Sequence, residues 1–389
     1  MAANWPGVAW TAVHQWTPLA ANVTVLRHPE DDANNATSRW RILHLSDAHI
    51  SLDEARDLHT LGTRRMHNAF RAMSDRHLDP GARRTPAETF RKLLQLVERN
   101  SVDAVVLTGD IVNFPHNASV QFVWKELLAA CGQQRPAPPV LFTAGNHDWL
   151  VESLGHGLGE QRARFRREIL APLYRLSRGS RQRGPISEDF GMLELQTPGR
   201  HGVGADGAPG LLILAVDNSM HEISSAQEAF VWHELSRGIP ALLAVHVPFM
   251  LPGVTPRNTK QVLCGDPRFG FDGDTSWHVE RRERWPRSGA SASTLRFVKD
   301  IVQRFAAPRG PLLGILGGHE HLHRVDAVGR TATVPLRLRC DGGHPPRCRS
   351  LSQGHQPGRP LHEGLVQYVT HAACEGGHRI LEVRDARFL

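Results

Sequence analysis

Six short, apolar segments of this 389-residue chain run into polar residues whose types and spacing could do chemistry. The first ends in Asp47-Ala48-His49. Residues two apart on an extended chain face the same side, so this carboxylate and imidazole could bind one cation. The second ends in Gly109-Asp110, where glycine permits a tight turn and the two carboxylate oxygens could bridge two cations. The third ends in Gly145-Asn146-His147-Asp148. Asn146 offers a neutral amide oxygen as a ligand, and His147 an imidazole able to give a proton to a leaving group. His246 sits inside the apolar run LLAVHVPFM. Gly318-His319-Glu320-His321 closes the set, with two imidazoles on one side of the chain, each able to bind a different metal ion. Glu320 then points away.

Taken singly, several of these signals are weak. Asp-x-His arises often by chance, a strand-terminal Gly-Asp is commonly a turn, and a histidine on an apolar strand is commonly a core residue. Together they offer carboxylate, imidazole and amide donors without a thiolate. That set suits Mn, Fe or Zn in a working site better than a thiolate-bound structural zinc.

The elements that must position these donors are legible as well. The segments 41–49, 103–110, 139–148, 210–218, 240–248 and 311–321 are apolar throughout before their polar ends. Such runs suit strands buried on both faces. Helical patterns lie between them. Thr85-Pro86-Ala87-Glu88 is a capping box followed by the stripe Phe90, Leu93, Leu94, Val97. Residues 120–130 make a second helix, a third starts at Ser225 with Glu228 three residues on, and a fourth spans 294–306. Alternating strands and helices give an α/β architecture, in which sites gather at the carboxyl ends of strands.

The sequence divides into an N-terminal extension, residues 1–38, and one large domain, residues 39–389. Residues 51–84 form a basic stretch, and residues 337–362 an Arg/Gly/Pro-rich insertion that reads as irregular. Patterning resumes in LVQYVTHAACEGGHRILEV, which reads as a closing hairpin.

Composition sets the remaining bounds. No apolar stretch approaches the roughly 20 residues that span a bilayer, and no secretory leader is visible, which points to a cytoplasmic protein. Five scattered cysteines fit a reducing compartment. Cys340, His344, Cys348 and His355 match no common zinc-finger spacing. A formal charge of +7 and a pI near 9.6 favour anionic partners. Phosphate esters, nucleotides, nucleic acid and lipid head groups are all such partners, and the family that the motifs resemble implies a small phosphorylated substrate, such as a nucleotide. Nucleic acid is less favoured, because the aromatic–basic interleaving of single-strand grooves is absent. Oligomeric state is not legible.

The motif order resembles that of the calcineurin-like metallophosphoesterase superfamily: Asp-x-His, Gly-Asp, Gly-Asn-His-(Asp/Glu), a histidine, then Gly-His-x-His. The resemblance runs from about Arg41 to Val383. It implies two mixed β-sheets packed face to face and flanked by helices. It also implies two divalent ions, the first held by Asp47, His49 and His321, the second by Asn146, His246 and His319, with Asp110 bridging them. His147 would face the scissile phosphate, and a metal-bridging hydroxide would attack phosphorus. Serine/threonine protein phosphatases extend the second motif to Gly-Asp-x-Val-Asp-Arg-Gly, whereas here it continues Ile111-Val112-Asn113. Purple acid phosphatases use a tyrosine shortly after Gly-Asp, and the only tyrosines here are Tyr174 and Tyr368. The chain looks most like small phosphodiesterases, including class III cyclic nucleotide phosphodiesterases. A nuclease or phosphomonoesterase of the same superfamily is the alternative, and a non-catalytic binding module is a further one.

Overall fold

The computed structural model describes residues 11–14, 23–27, 38–52, 73–75, 78–79, 81–134, 136–149, 166–176, 190–196, 209–219, 222–249, 292–305, 311–321, 323–329, 336–341, 347–349 and 362–385. In chain order its elements begin with β1 (Thr11–His14), β2 (Val23–Arg27), β3 (Ser38–Leu45), β4 (Met73–Asp75), β5 (Ala82–Arg84), α1 (Pro86–Arg99), β6 (Ala104–Thr108), α2 (Asn117–Gly132) and β7 (Val140–Thr143). A π-helical turn (Arg166–Leu170) leads into α3 (Ala171–Leu176), then β8 (Phe190–Gln196), β9 (Pro209–Val216), α4 (Ser225–Ser236), β10 (Ala241–Ala244) and α5 (Ala292–Phe305). The chain closes with β11 (Leu312–Gly317), β12 (His323–Gly329), β13 (Leu336–Asp341), β14 (Arg347–Arg349), β15 (His362–Val369), a 3-10 turn (Ala373–Glu375) and β16 (Arg379–Asp385).

Hydrogen bonding follows the order β7-β6-β3-β16-β2-β1-β15-β11-β10-β9-β8. Its two ends are mixed sheets. In one, β3, β6 and β7 are parallel and β16 is antiparallel to β3. In the other, β9, β10, β11 and β15 are parallel and β8 is antiparallel to β9. The two sheets enclose one core: Trp40, Ile42, Val106 and Leu141 meet Leu193, Ile213, Leu242 and Tyr368. The opposite faces are covered by helices. Val105 and Leu107 join Phe90, Leu93 and Val123 of α1 and α2, while Ala241 and Leu243 join Val231, Phe297 and Ile301 of α4 and α5. Successive residues of β6 thus go to opposite cores, which is why its sequence is apolar without alternation. The expected sandwich is the one observed.

Local signals set the helix starts. Thr85 caps α1: its hydroxyl accepts from Glu88 N at 3.3 Å, and Glu88 Oε2 accepts from Thr85 N at 2.8 Å. α4 starts at Ser225, where the sequence places it. Ser224 is the cap and Gln227 its partner, with Ser224 N donating to Gln227 Oε1 at 2.7 Å. The entry is pinned because Ile223 is buried and its N–H donates to Thr294 Oγ1 of α5 at 3.0 Å.

Two further expectations need correction. The closing segment is not a hairpin. β15 pairs with β1, β11 and β12, whereas β16 pairs with β2 and β3, so the chain crosses from one sheet to the other. The connection includes the 3-10 turn, whose Ala373 and Cys374 N–H groups donate to Ser46 and Asp47 carbonyls at 2.8 and 3.2 Å. The insertion at 337–362 also holds regular structure: β13 pairs with β12, and β14 with β13. Leu336, Leu338 and Cys340 alternate with Arg337, Arg339 and Asp341, a period-two pattern masked by arginine content. His344 and His355 lie outside the described residues, as do Arg56, Arg64, Arg65, His67 and Arg71 of the basic stretch. In the N-terminal extension, β1 and β2 form an antiparallel pair, and β2 lies parallel to β16.

Candidate metal centre

The polar ends of β3, β6, β7, β10 and β11 converge, tied by backbone bonds between loops. Asp47 N donates to Gly109 O at 3.0 Å, His49 N to Asp110 O at 2.9 Å, and Gly318 N to His246 O at 3.0 Å. This close approach needs glycine at particular places. Gly109 has φ +83°, and a Cβ there would lie 2.6 Å from the Gly145 Cα and the His246 Nδ1. A Cβ on Gly318 would overlap Ser46 Oγ and lie 2.5 Å from Asp47 Oδ2. Six described non-glycine residues have positive φ, and five of them are Asp47, His49, Asp110, His319 and His321.

The seven residues expected to bind metal are brought together as two groups. In the first, His49 Nε2 and His321 Nε2 are 3.0 Å apart, and Asp47 Oδ1 lies 3.4 Å from His321 Nε2 and 4.0 Å from His49 Nε2. In the second, Asn146 Oδ1 is 2.9 Å from His246 Nε2 and 3.1 Å from His319 Nδ1, with Asp110 Oδ2 3.4 Å from His246 Nε2. Asp110 belongs with His246 and His319 on one side and with His49 and His147 on the other, each set within 4.8 Å. Glu320 is in none of these sets.

The donors fit divalent cations. Asp47 Oδ1 is buried and makes no hydrogen bond, while Oδ2 accepts from His319 N at 2.9 Å. One oxygen is fixed by the backbone and the other faces two imidazole nitrogens. Oxygen and nitrogen donors at this spacing can coordinate a divalent ion.

The electrostatics are those of a buried charge cluster. Burial lowers His49 and His319, the latter to about 3, and neighbouring histidine charge adds to this. Burial also opposes the charge on His246, but Asp110 outweighs it and lifts the imidazole to about 10. For Asp110, burial is outweighed by the charges of His246 and His147, and the carboxyl falls well below the carboxylate range. Asp47 is likewise held low, by His321 against burial. A bound cation would take the place of the protons on His246 and His321.

Supporting residues escaped the sequence reading as functional parts. Asp148 accepts from Asp110 N and Gly145 N at 2.8 Å and from Val112 N at 3.0 Å, joining the second and third motifs. Asn218 Oδ1 accepts from His246 N and Val247 N, both at 3.0 Å, and its amide donates to Val247 O at 2.7 Å. Asn113 Oδ1 stands 3.1 Å from His147 Nδ1. Thr108 O accepts from His246 Nδ1 at 2.7 Å, which turns Nε2 toward Asp110 and Asn146. The available signal for Asn218 was its place after an apolar strand, in Val216-Asp217-Asn218, the same pattern that marked the motifs.

The family model for calcineurin-like phosphoesterases matches residues 41–215, which hold the first three motifs. His246, His319 and His321 lie beyond the matched segment. Similar solved structures include a dimetal phosphatase from Danio rerio, 14% identical over 86% of this chain and 88% of that one, with a TM-score of 0.41. A purple acid phosphatase from yellow lupin (Lupinus luteus) seeds is 12% identical over 91% of this chain and 46% of that one, with a TM-score of 0.42. No curated protein matches the chain. The matched segment supplies Asp47, His49, Asp110 and Asn146, the fold adds His246, His319 and His321 from the ends of β10 and β11 to the two groups, and residues 41–215 are a calcineurin-like phosphoesterase segment.

Proposed function

We propose that the protein hydrolyses a phosphodiester with two divalent ions, using Mn, Fe or Zn. Asp47, His49 and His321 would hold the first ion, and Asn146, His246 and His319 the second, with Asp110 between them. The observation that carries this reading is the pair of donor groups that share Asp110. When bound, the ions would supply an activated water and offset charge on the phosphoryl oxygens.

The chain's own residues have distinct tasks in this scheme. Asp110 presents Oδ2 to the second group while Oδ1 accepts from His147 N at 2.7 Å, so the bridging residue also places the third motif. With His147 Nδ1 directed to the Asn113 oxygen, Nε2 of the doubly protonated ring is the nitrogen that would give a proton to the departing oxygen. Asn113 is neutral, so it orients the imidazole without adding a carboxylate charge. The preference for a diester is supported by the sequence: the second motif lacks the protein-phosphatase extension and no tyrosine follows Gly-Asp.

Hydrolysis of bis(p-nitrophenyl) phosphate and p-nitrophenyl phosphate, compared after metal stripping and Mn²⁺ re-addition, tests the proposal. Mn²⁺-dependent preference for the diester is the expected result, with cyclic nucleotides and oligonucleotides the next substrates. Preference for the monoester would replace the diester reading with a phosphomonoesterase. Inactivity on both with two ions bound would favour the binding-module alternative.

A further inference from the structure

Behind the second donor group lies a buried polar layer to which neither the sequence motifs nor the proposed reaction gives a role. His44, on β3, is fully buried between two hydroxyls. Its Nε2 is 2.7 Å from Thr108 Oγ1 and its Nδ1 is 2.8 Å from Thr370 Oγ1. Thr370 Oγ1 accepts from Arg379 Nε at 3.4 Å, and Arg379 also donates to Val369 O at 3.2 Å. Burial, reinforced by the Arg379 charge, holds His44 down to about 3, so its ring is neutral.

A hydroxyl oxygen accepts up to twice and donates once, so Thr370 can accept from Arg379 and still pair with His44 Nδ1 in either direction. In both tautomers His44 joins the Thr370 hydroxyl to the Thr108 hydroxyl. Thr108 ends β6, and its own carbonyl accepts from Ser46 Oγ at 3.0 Å and from His246 Nδ1 at 2.7 Å. The layer thus fixes the side chain of the residue whose carbonyl sets the tautomer and tilt of His246.

We infer that Arg379, Thr370, His44 and Thr108 are positioning residues for the second metal ion, acting through the Thr108 carbonyl on His246. The inference rests on the metal-site reading above. Residues that orient a ligating histidine typically change metal affinity by about 10–100-fold when altered. Here the hydroxyl acts one step further back, so about tenfold is expected.

The test is Mn²⁺ titration by calorimetry of the wild-type chain, Thr108→Val and Thr108→Ser, with urea unfolding of each metal-free protein alongside. Thr108→Val keeps shape and backbone but removes the hydroxyl. It should bind the second ion about tenfold more weakly and the first ion as wild type does, while Thr108→Ser restores the affinity. Should Thr108→Val fail to fold, Thr370→Val probes the layer from the far side of His44, with the same expectation. Lower unfolding midpoints with both affinities unchanged would overturn the inference and leave the layer a purely structural one. Wild-type protein taking up fewer than two ions would overturn the dinuclear reading itself, and the inference with it.

Discussion

Replacing Gly318 with alanine should disturb the first metal site in a way the distances define. The added methyl carbon would overlap Ser46 Oγ and lie 2.5 Å from both Ser46 Cβ and Asp47 Oδ2. Carbon atoms in ordinary contact keep about 3.5–4.0 Å, so the first motif must retreat from the fifth by about 1 Å. The space is closed on the other side: Ser46 Oγ donates to Thr108 O, and Asp47 N donates to Gly109 O. Overpacking of this kind costs about 1–3 kcal/mol, and a displacement of about 1 Å at a reacting group can cost about a hundredfold in rate. Urea unfolding of metal-free Gly318→Ala should show the lost stability, and Mn²⁺ titration should show weakened uptake of the first ion. Adding Ser46→Gly removes two of the three colliding atoms but leaves Asp47 Oδ2 in place. The double variant should therefore recover on the order of 1 kcal/mol relative to additivity, while uptake of the first ion stays impaired. Gly318→Ala with wild-type unfolding and wild-type uptake of both ions would refute the packing argument.

Two other outcomes follow from the site. Asp110→Asn keeps an acceptor for His147 N but removes the charge shared by the two donor groups, so turnover should fall by at least about a hundredfold while circular dichroism and unfolding show an intact fold; a folded variant with wild-type turnover would contradict the bridging role. His44 remains neutral in the fold down to about 3 but protonates near its ordinary value of 6.5 once unfolded, so its contribution, complete above 6.5, is lost as pH falls from there toward 3. At about 1.4 kcal/mol per pH unit, wild-type metal-free protein should lose about 2 kcal/mol more than His44→Gln between pH 6.5 and 5.0, and equal pH slopes in urea unfolding would rule this out.

The sandwich and its seven convergent side chains were legible because each buried strand writes itself as an apolar run with a polar end, and because strand-end loops in a mostly parallel arrangement must meet. What stayed hidden depended on partners far away in the chain. Asp148 reads as the last residue of a motif, but its role lies in N–H groups at Asp110 and Val112. His44 sits among the apolar residues of β3, and only Thr108 and Thr370, from two other parts of the chain, give it a use. The route from β15 to β16 was misread for the same reason. Two apolar runs separated by turn residues look alike whether they pair with each other or with strands of different sheets.

Backbone conformation links that hidden layer of support to the chemistry. Five of the convergent residues, Asp47, His49, Asp110, His319 and His321, have φ between 45° and 66°. A non-glycine residue in that region is strained, by on the order of 1–3 kcal/mol, and persists only where its surroundings over-determine it. The surroundings here are inter-loop bonds: Asp47 is tied to Gly109 and Cys374 through its backbone, and His49 to Asp110. The strain has a geometric use. A left-handed residue at a strand end turns the chain sharply, so that donors from several neighbouring strands can face one point instead of alternating above and below a sheet. Relaxing any one of these residues to an extended conformation would aim its side chain elsewhere, even with its identity unchanged. The sandwich cores and the glycine-permitted contacts between loops are therefore part of the site, because they hold the ligands in conformations the isolated motifs would not keep.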